Sequence, residues 1–319
     1  MDEEVEMKQV DITVAGKQKP EPSMTEPWFE RLERRLQPLR IKSKLGRACL
    51  AEFIGIFILV IFHHGAIAQV ILSRGGSGTF LSINWGGGVG LFLGVYYSAG
   101  ISGGHLNPAV SLGFTLLGKL RWAWLPCYMM AQFFGAFCAS IVLYGVYIDG
   151  INNIDGGTRQ VTGPNATAGI FGTYPQEFLS LGEGVFDQIV GTALLMGTIA
   201  AVTDERNHKP VKGMEPYIIG MILFGVGLAF GFNCGYSLNP AKDLGPRLFA
   251  YIAQYGPKVW APYGKQWWWV PIVGPLIGGP VGAWTYYLII GLHHPPVYKA
   301  EGEEINNGTT AGNGDAEGK

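Results

Sequence analysis

The sequence predicts an all-α membrane protein in which six transmembrane helices and two shorter re-entrant half-helices form an inverted repeat. Three observations support this fold class. The 319 residues are 48% hydrophobic and only 15% charged, and they include 48 glycines, which is more apolar than a usual soluble domain. Long runs without charge lie between charged termini. The triplet Asn-Pro-Ala occurs twice in similar apolar surroundings, at residues 107–109 and 239–241.

Six segments are long and apolar enough to cross a bilayer, which takes about 20 mainly apolar residues in a helix. We interpret them as helices despite their glycines, because backbone exposed to lipid must satisfy its own hydrogen bonds. The six segments are 48–73, 80–100, 122–148, 184–203, 216–233 and 268–292. The chain is thereby divided into an N-terminal tail (1–47), a membrane domain (48–292, with halves 48–148 and 182–292 joined by a connection, 149–181) and a C-terminal tail (293–319).

Basic residues in short connections predict the orientation of the spans, since such residues remain in the cytoplasm. The basic residues in two of these connections are Lys119, Arg121, Arg206, Lys209 and Lys212. An even number of spans then places both tails in the cytoplasm and the connection 149–181 outside the cell. That connection contains Asn165 in an Asn-Ala-Thr pattern, which is an acceptor pattern for N-glycosylation.

Each Asn-Pro-Ala triplet follows the second span of a three-span half, and an odd number of spans per half gives the halves opposite orientations. The segments 108–118 and 240–251 are too short to cross the bilayer and are predicted to enter it from opposite sides. Pro108 and Pro240 suit the first position of a helix, and Asn107 and Asn239 suit the N-cap. Ala109 and Ala241 complete the two triplets. The facing helix N-termini would concentrate partial positive charge near the midplane.

Other function classes find little support in the composition. The net charge of −1 gives no basic excess for nucleic acid. The four cysteines lack the paired spacing of a zinc site, and no nucleophile and base stand in a catalytic pattern. We therefore expect no enzyme, no cofactor, no metal and no nucleic-acid partner.

The residues around both triplets resemble the aquaporins, or major intrinsic proteins, and specifically their glycerol-conducting branch, the aquaglyceroporins. The resemblance covers about residues 47–292 and includes the runs "SGGHLNPAV", "GIFGTYPQ" and "GFNCGYSLNPAKDLGPRLF". It implies an aquaporin-like fold with one pore per subunit and a homotetramer in a lipid bilayer, the plasma membrane. It also implies passive passage of glycerol, other small uncharged solutes and water, with ions and protons excluded.

The resemblance also implies roles for individual residues. Asn107 and Asn239 would donate side-chain N–H groups to the permeating molecule. Glu52 and Gln188 would hold the backbone of the pore loops, and Asp243 would contact neighbouring loop backbone. The pore carbonyls that would accept solute hydroxyls belong to Gly103, Gly104, His105, Gly235, Tyr236 and Ser237.

The outer constriction implied by the resemblance falls on four residues, and two of them depart from the family pattern. These four are Gly87, Gly227, Tyr236 and Lys242. Lys242 stands where the family has arginine, and an ammonium lacks the planar fork of donors that a guanidinium presents. Gly87 stands where the glycerol branch commonly has an aromatic residue, although Trp85 could fill the gap if the span were locally shifted. The aperture is either wider than usual or closed by Lys242 itself.

Two alternatives to a solute channel remain open on the sequence. The departures at Lys242 and Gly87 are compatible with a tetrameric scaffold or adhesion protein that conducts weakly or not at all. An ion-coupled transporter also uses inverted repeats and broken helices, but no pair of carboxylates is predicted near the midplane. His63 and His64, in the middle of the first span, are expected to pack, with pH sensing as the alternative.

Overall fold

The computed structural model describes residues 27–295, so most of the N-terminal tail and residues 296–319 lie outside the described part. The chain divides into two compact units, residues 1–44 and 45–319. The described part of the first unit contains α1 (Trp28–Leu36), a helix without buried residues. The membrane domain then follows as α2 (Lys44–Leu72), α3 (Phe80–Ser102), α4 (Pro108–Leu116), α5 (Leu125–Asp155), α6 (Leu181–Val202), α7 (Glu215–Phe230), α8 (Pro240–Ala250) and α9 (Val270–Ile289).

The helix order confirms the predicted fold class, with long helices in two sets of three and a short helix within each half. By length and composition alone, four of the helices between residues 27 and 295 could cross a membrane, namely those that contain α2, α5, α6 and α9. The other two predicted spans are glycine-rich α3 and α7, which has 16 residues. The helices differ from the predicted spans by a few residues at several ends, most at the end of α5, which continues from the predicted 148 to Asp155, where Gly156 ends it with a φ of 65°. The first residues of the predicted connection 149–181 are therefore helical.

Glycines bring the long helices together. A side chain at Gly220 of α7 would overlap the backbone of Gly88 in α3, and one at Gly282 of α9 would overlap the backbone of Ala193 in α6. Small residues at such crossings let helix backbones approach closely, which is how helices associate where burial from water gives no driving force. The glycine content therefore serves helix packing.

The two half-helices begin at the predicted residues. The side chain of Asn107 accepts a hydrogen bond from the Ala109 backbone N–H at 2.8 Å and caps α4. Asn239 caps α8 in the same way, accepting from the backbone N–H groups of Ala241 and Lys242, both at 3.1 Å. In each helix the proline takes the first position, where its missing N–H costs nothing.

Candidate functional site

The two capping asparagines bind across the repeat. The side-chain amide of Asn107 donates to the Leu238 carbonyl at 2.8 Å, and the amide of Asn239 donates to the Leu106 carbonyl at 2.7 Å. A carboxamide has two N–H groups, so each asparagine keeps one further donor. The structure thus brings both triplets to one place, with the cap of each half-helix fixed to the loop of the other half.

The leucine before each triplet has an uncommon backbone conformation. Leu106 and Leu238 have φ values of 50° and 51°, in the left-handed region that bulky residues avoid. Such a conformation costs about 1–3 kcal/mol and persists only where the surroundings hold it. The Leu106 N–H donates to Glu52 Oε2 at 2.7 Å, and the Leu238 N–H donates to Gln188 Oε1 at 2.9 Å. Each leucine peptide is therefore held at its N–H by a buried side chain and at its carbonyl by the opposite asparagine.

Glu52 organises the first loop. Its carboxylate is fully buried and accepts four hydrogen bonds, two of them from backbone N–H groups. The backbone donors are His105 at 2.9 Å and Leu106 at 2.7 Å, and the side-chain donors are Ser102 Oγ at 2.6 Å and Gln132 Nε2 at 2.7 Å. A buried carboxyl group needs such a set of partners, because an uncompensated charge at membrane depth is costly.

Gln188 takes the matching place in the second loop with a neutral carboxamide. Its oxygen accepts from Leu238, and its Nε2 lies 3.1 Å from Cys234 Sγ and donates to Asp187 Oδ1 at 3.3 Å. Asp187 also accepts from Asn233 Nδ2 at 2.8 Å. The second loop is thus held through a chain of polar contacts that starts from an amide.

Asp243, three residues after Pro240, forms a buried ion pair with Arg247. Arg247 Nε donates to Asp243 Oδ1 at 2.7 Å, and both side chains are fully buried. Asp243 Oδ2 accepts from the Thr173 backbone N–H at 2.8 Å, and Arg247 Nη1 donates to the Val259 carbonyl at 2.6 Å. This pair ties α8 to the connection before α6 and to the segment that follows α8.

A cavity extends to the two capped helix ends. Its polar lining includes Asn107, Asn239 and Lys242, together with four of the residues predicted to supply pore carbonyls: Gly103, Gly104, His105 and Ser237. The other two, Gly235 and Tyr236, are not among its lining residues. The remaining wall is mainly apolar and includes Leu59, Leu91, Val110, Phe114, Leu195, Ile199, Ile219 and Leu223. The cavity lining therefore combines a few polar groups with a mainly apolar surface.

Three of the four predicted constriction residues, Gly87, Tyr236 and Lys242, lie against the ring of His63, which the sequence interpretation did not assign to the constriction, and Gly227 lies against Tyr236. Lys242 Nζ is 3.4 Å from Nδ1 of His63, and Tyr236 Oη is 3.1 Å from its Nε2. The His63 and Tyr236 rings stack with centroids 5.5 Å apart. A Cβ added to Gly87 would lie 3.2 Å from His63 Nε2, and one added to Gly227 would lie 2.7 Å from Tyr236 Cζ.

The suggestion that Trp85 could fill the gap at Gly87 was wrong. Trp85 is 48% exposed, and its ring packs edge-on against Phe224 with centroids 5.0 Å apart. His63 lies against Gly87 in its place. The signal for this was present in α2: His63 follows Glu52 by eleven residues, about three turns of a helix, and so lies on the same face as the residue that holds the loop.

Asn165, in the predicted glycosylation pattern, lies in the connection between α5 and α6. Asn165 is half-buried, and its side-chain oxygen accepts from Arg74 at 3.2 Å, while glycosylation at this residue stays a prediction. Within residues 27–295, no group of three or more His, Cys, Asp or Glu residues is arranged to hold a metal ion.

Comparisons with known proteins identify one family. The family model described as "Major intrinsic protein" matches residues 40–286. The chain is 48% identical to Aquaporin-10 of Milnesium tardigradum over 82% of this chain and 66% of that protein, and 47% identical to human Aquaporin-10 over 81% and 85%. An X-ray structure of the aquaglyceroporin from Plasmodium falciparum matches with a TM-score of 0.69 and 30% identity, over 77% of this chain and 96% of that one. The chain belongs to the major intrinsic protein family.

Proposed function

We propose that the chain is a passive channel for glycerol and other small uncharged solutes, with water, and that it excludes ions and protons. The single observation that carries the proposal is the crossed pair of contacts between Asn107 and Leu238 and between Asn239 and Leu106. These contacts place two amide donors and two helix N-termini at the end of a half-apolar cavity. Members of this family are channels, so the expectation that the chain is not an enzyme is confirmed.

The groups that line the cavity suit a small polyol. The hydroxyl groups of glycerol meet the free amide donors of Asn107 and Asn239 and the loop carbonyls, while its carbon backbone meets the apolar wall of Leu59 and Leu195. Cations are repelled by Lys242 and by the positive ends of the two half-helices. Selection thus rests on size, hydrogen-bond matching and electrostatic exclusion, without a covalent step or a cofactor.

Flux through purified protein in proteoliposomes tests this proposal. Under an inward glycerol gradient, stopped-flow light scattering should show re-swelling clearly faster than in empty liposomes, and a pH-sensitive dye inside the vesicles should report no added proton leak. Re-swelling at the rate of empty liposomes would refute the proposal and leave the scaffold alternative, which receives no support from the relatives.

We further propose a homotetramer in the plasma membrane with both tails in the cytoplasm. The resemblance to the family supports the tetramer, and the basic residues Lys119, Arg121 and Arg206 in short connections support the orientation. Chemical cross-linking in native membranes should end at a four-chain band. Protease added to intact cells should leave a C-terminal epitope tag uncut, and digestion of the tag would contradict the orientation.

A further inference from the structure

We propose that His63 is a specificity-determining residue of the constriction, where its ring occupies the space that the missing side chain of Gly87 leaves. This inference rests on the proposed function, because it names what limits solute size in the same pore. The ring comes from α2, whereas Gly87 belongs to α3. A neighbouring helix therefore supplies the wall that the residue at position 87 does not.

The available space supports this assignment. A Cβ on Gly87 would lie 3.2 Å from both His63 Nε2 and Tyr236 Oη, closer than ordinary packing distance. The direction in which a side chain at position 87 would point is thus already filled. His63 and Tyr236 are both buried and stack with an interplanar angle of 26°. Together they form an aromatic pair beside Lys242, which lines the cavity.

His63 also positions Lys242. The distance of 3.4 Å from Lys242 Nζ to His63 Nδ1 suits a contact in which an unprotonated ring nitrogen accepts from the ammonium. The ring proton then lies on Nε2, which faces the Tyr236 hydroxyl at 3.1 Å. Asp243, the residue next to Lys242, binds Arg247 and Thr173 through its carboxylate. An ammonium has three N–H groups, so the contact with His63 leaves others for a solute hydroxyl.

These two roles can be separated by substitution. His63→Ala removes both the wall and the acceptor for Lys242. His63→Phe keeps an aromatic ring in the same space but removes the acceptor. The double variant His63→Ala/Gly87→Phe returns a ring to that space from the other helix. His208→Ala, in the exposed connection between α6 and α7, is the control for loss of a histidine.

The experiment compares glycerol with the larger polyol xylitol in proteoliposomes, with water permeability measured in parallel. We expect His63→Ala to raise the ratio of xylitol to glycerol permeability by about ten-fold, since a pocket that loses steric limits discriminates size less. His63→Phe should keep the wild-type ratio but conduct glycerol more slowly, because Lys242 loses its fixed position. His63→Ala/Gly87→Phe should restore the exclusion of xylitol, and His208→Ala should match the wild type.

The outcomes distinguish this inference from the proposed function. A wild-type protein that conducts glycerol together with a His63→Ala variant that keeps the wild-type ratio would overturn the role of His63 alone. A wild-type protein no faster than empty liposomes would overturn the proposed function itself. If His63→Ala does not fold, Gly87→Ala is the substitute test. Its added methyl group presses on the His63 ring and should lower glycerol permeability more than water permeability. Unchanged glycerol permeability would overturn the inference.

Discussion

The two halves of the membrane domain share one backbone geometry but hold it with different chemistry. Leu106 and Leu238 have nearly the same φ, and each donates its N–H to a buried side chain. In the first half that side chain is the carboxylate of Glu52, and in the second it is the carboxamide of Gln188. The duplicated element is therefore the path of the backbone, and different side chains can maintain it.

Charge is also distributed differently between the two half-helices. Asp243 and Arg247 of α8 correspond, counted from the capping asparagines, to Ser111 and Thr115 of α4. The ion pair ties α8 to the connection that contains Thr173, whereas Thr115 Oγ1 only returns a hydrogen bond to the Ser111 carbonyl at 2.7 Å. The second half, which follows the long connection between α5 and α6, therefore has the charged residues that hold its half-helix to that connection.

Two further pairs of matching positions in the halves also differ in chemistry. His63 lies eleven residues after Glu52, and the residue eleven after Gln188 is Ile199. Lys242 corresponds to Val110, again counted from the capping asparagines. Ile199 and Val110 both line the apolar part of the cavity, while His63 and Lys242 contact one another. At these matching positions α2 and the start of α8 thus have polar side chains where α6 and α4 have apolar ones.

The largest effect is expected from breaking the ion pair of α8, which has no counterpart at the matching positions of α4. Asp243→Ala leaves Arg247 buried without its carboxylate and frees Thr173, and breaking a buried pair in this way costs about 3–5 kcal/mol. Thermal unfolding in detergent should show a strongly lowered midpoint. The control is Glu205→Ala, which removes an exposed pair with Lys209 at the same spacing and should leave the midpoint nearly unchanged. Equal shifts in the two variants would contradict a structural role for Asp243.

The next largest effect is expected at Glu52 and Gln188, the side chains that hold the two loops. Glu52→Gln makes the first half resemble the second, but one accepting oxygen becomes an NH₂ group that faces existing donors such as Gln132 Nε2. Loss of a hydrogen bond to a charged group costs about 1.5–3 kcal/mol. We expect a lower unfolding midpoint and slower glycerol flux. Gln188→Glu is the reciprocal variant and should also destabilise, because it places a second carboxyl group beside Asp187. An unchanged unfolding midpoint and unchanged glycerol flux in Glu52→Gln would mean that the first loop does not need a carboxylate.

Much of this architecture could be predicted from the sequence, because it depends on local signals. Asparagine before proline is a capping signal that needs no knowledge of neighbours, and both half-helices begin where it predicts. The contacts of His63 could not be predicted in this way. The neighbours of a histidine in an apolar helix depend on the register between α2 and α3, which a local signal does not reveal. The end of α5 was missed because residues 149–155, which are mostly polar, continue the helix beyond its apolar run.

A smaller effect distinguishes the two caps. Asn107→Ala and Asn239→Ala each remove a helix cap, worth about 1 kcal/mol, and each removes one crossed hydrogen bond. Asn239 accepts from two backbone N–H groups, one of them that of Lys242, whereas Asn107 accepts from one. We therefore expect Asn239→Ala to lower the unfolding midpoint more and to change the ratio of glycerol to water permeability. A larger change in that ratio from Asn107→Ala would contradict the link between the second cap and the constriction.

The smallest effect comes from exchanging a hydroxyl and a thiol between the halves. Ser102 and Cys234 both lie five residues before a capping asparagine; Ser102 Oγ donates to Glu52 at 2.6 Å, whereas Cys234 Sγ is 3.7 Å from Asp187 Oδ1. A thiol is a weak donor, so Ser102→Cys weakens the hydrogen bond to the Glu52 carboxylate without removing it, and it should cost less than the roughly 1.5–3 kcal/mol of a lost hydrogen bond to a charged group. Cys234→Ser gives the second loop a stronger donor in nearly the same volume and should change stability less. The measurement compares the unfolding midpoints of the two variants. Equal losses would mean that the Glu52 carboxylate and the Gln188 carboxamide depend equally on their hydrogen-bond partners. The chemical difference between the halves would then have no effect on stability.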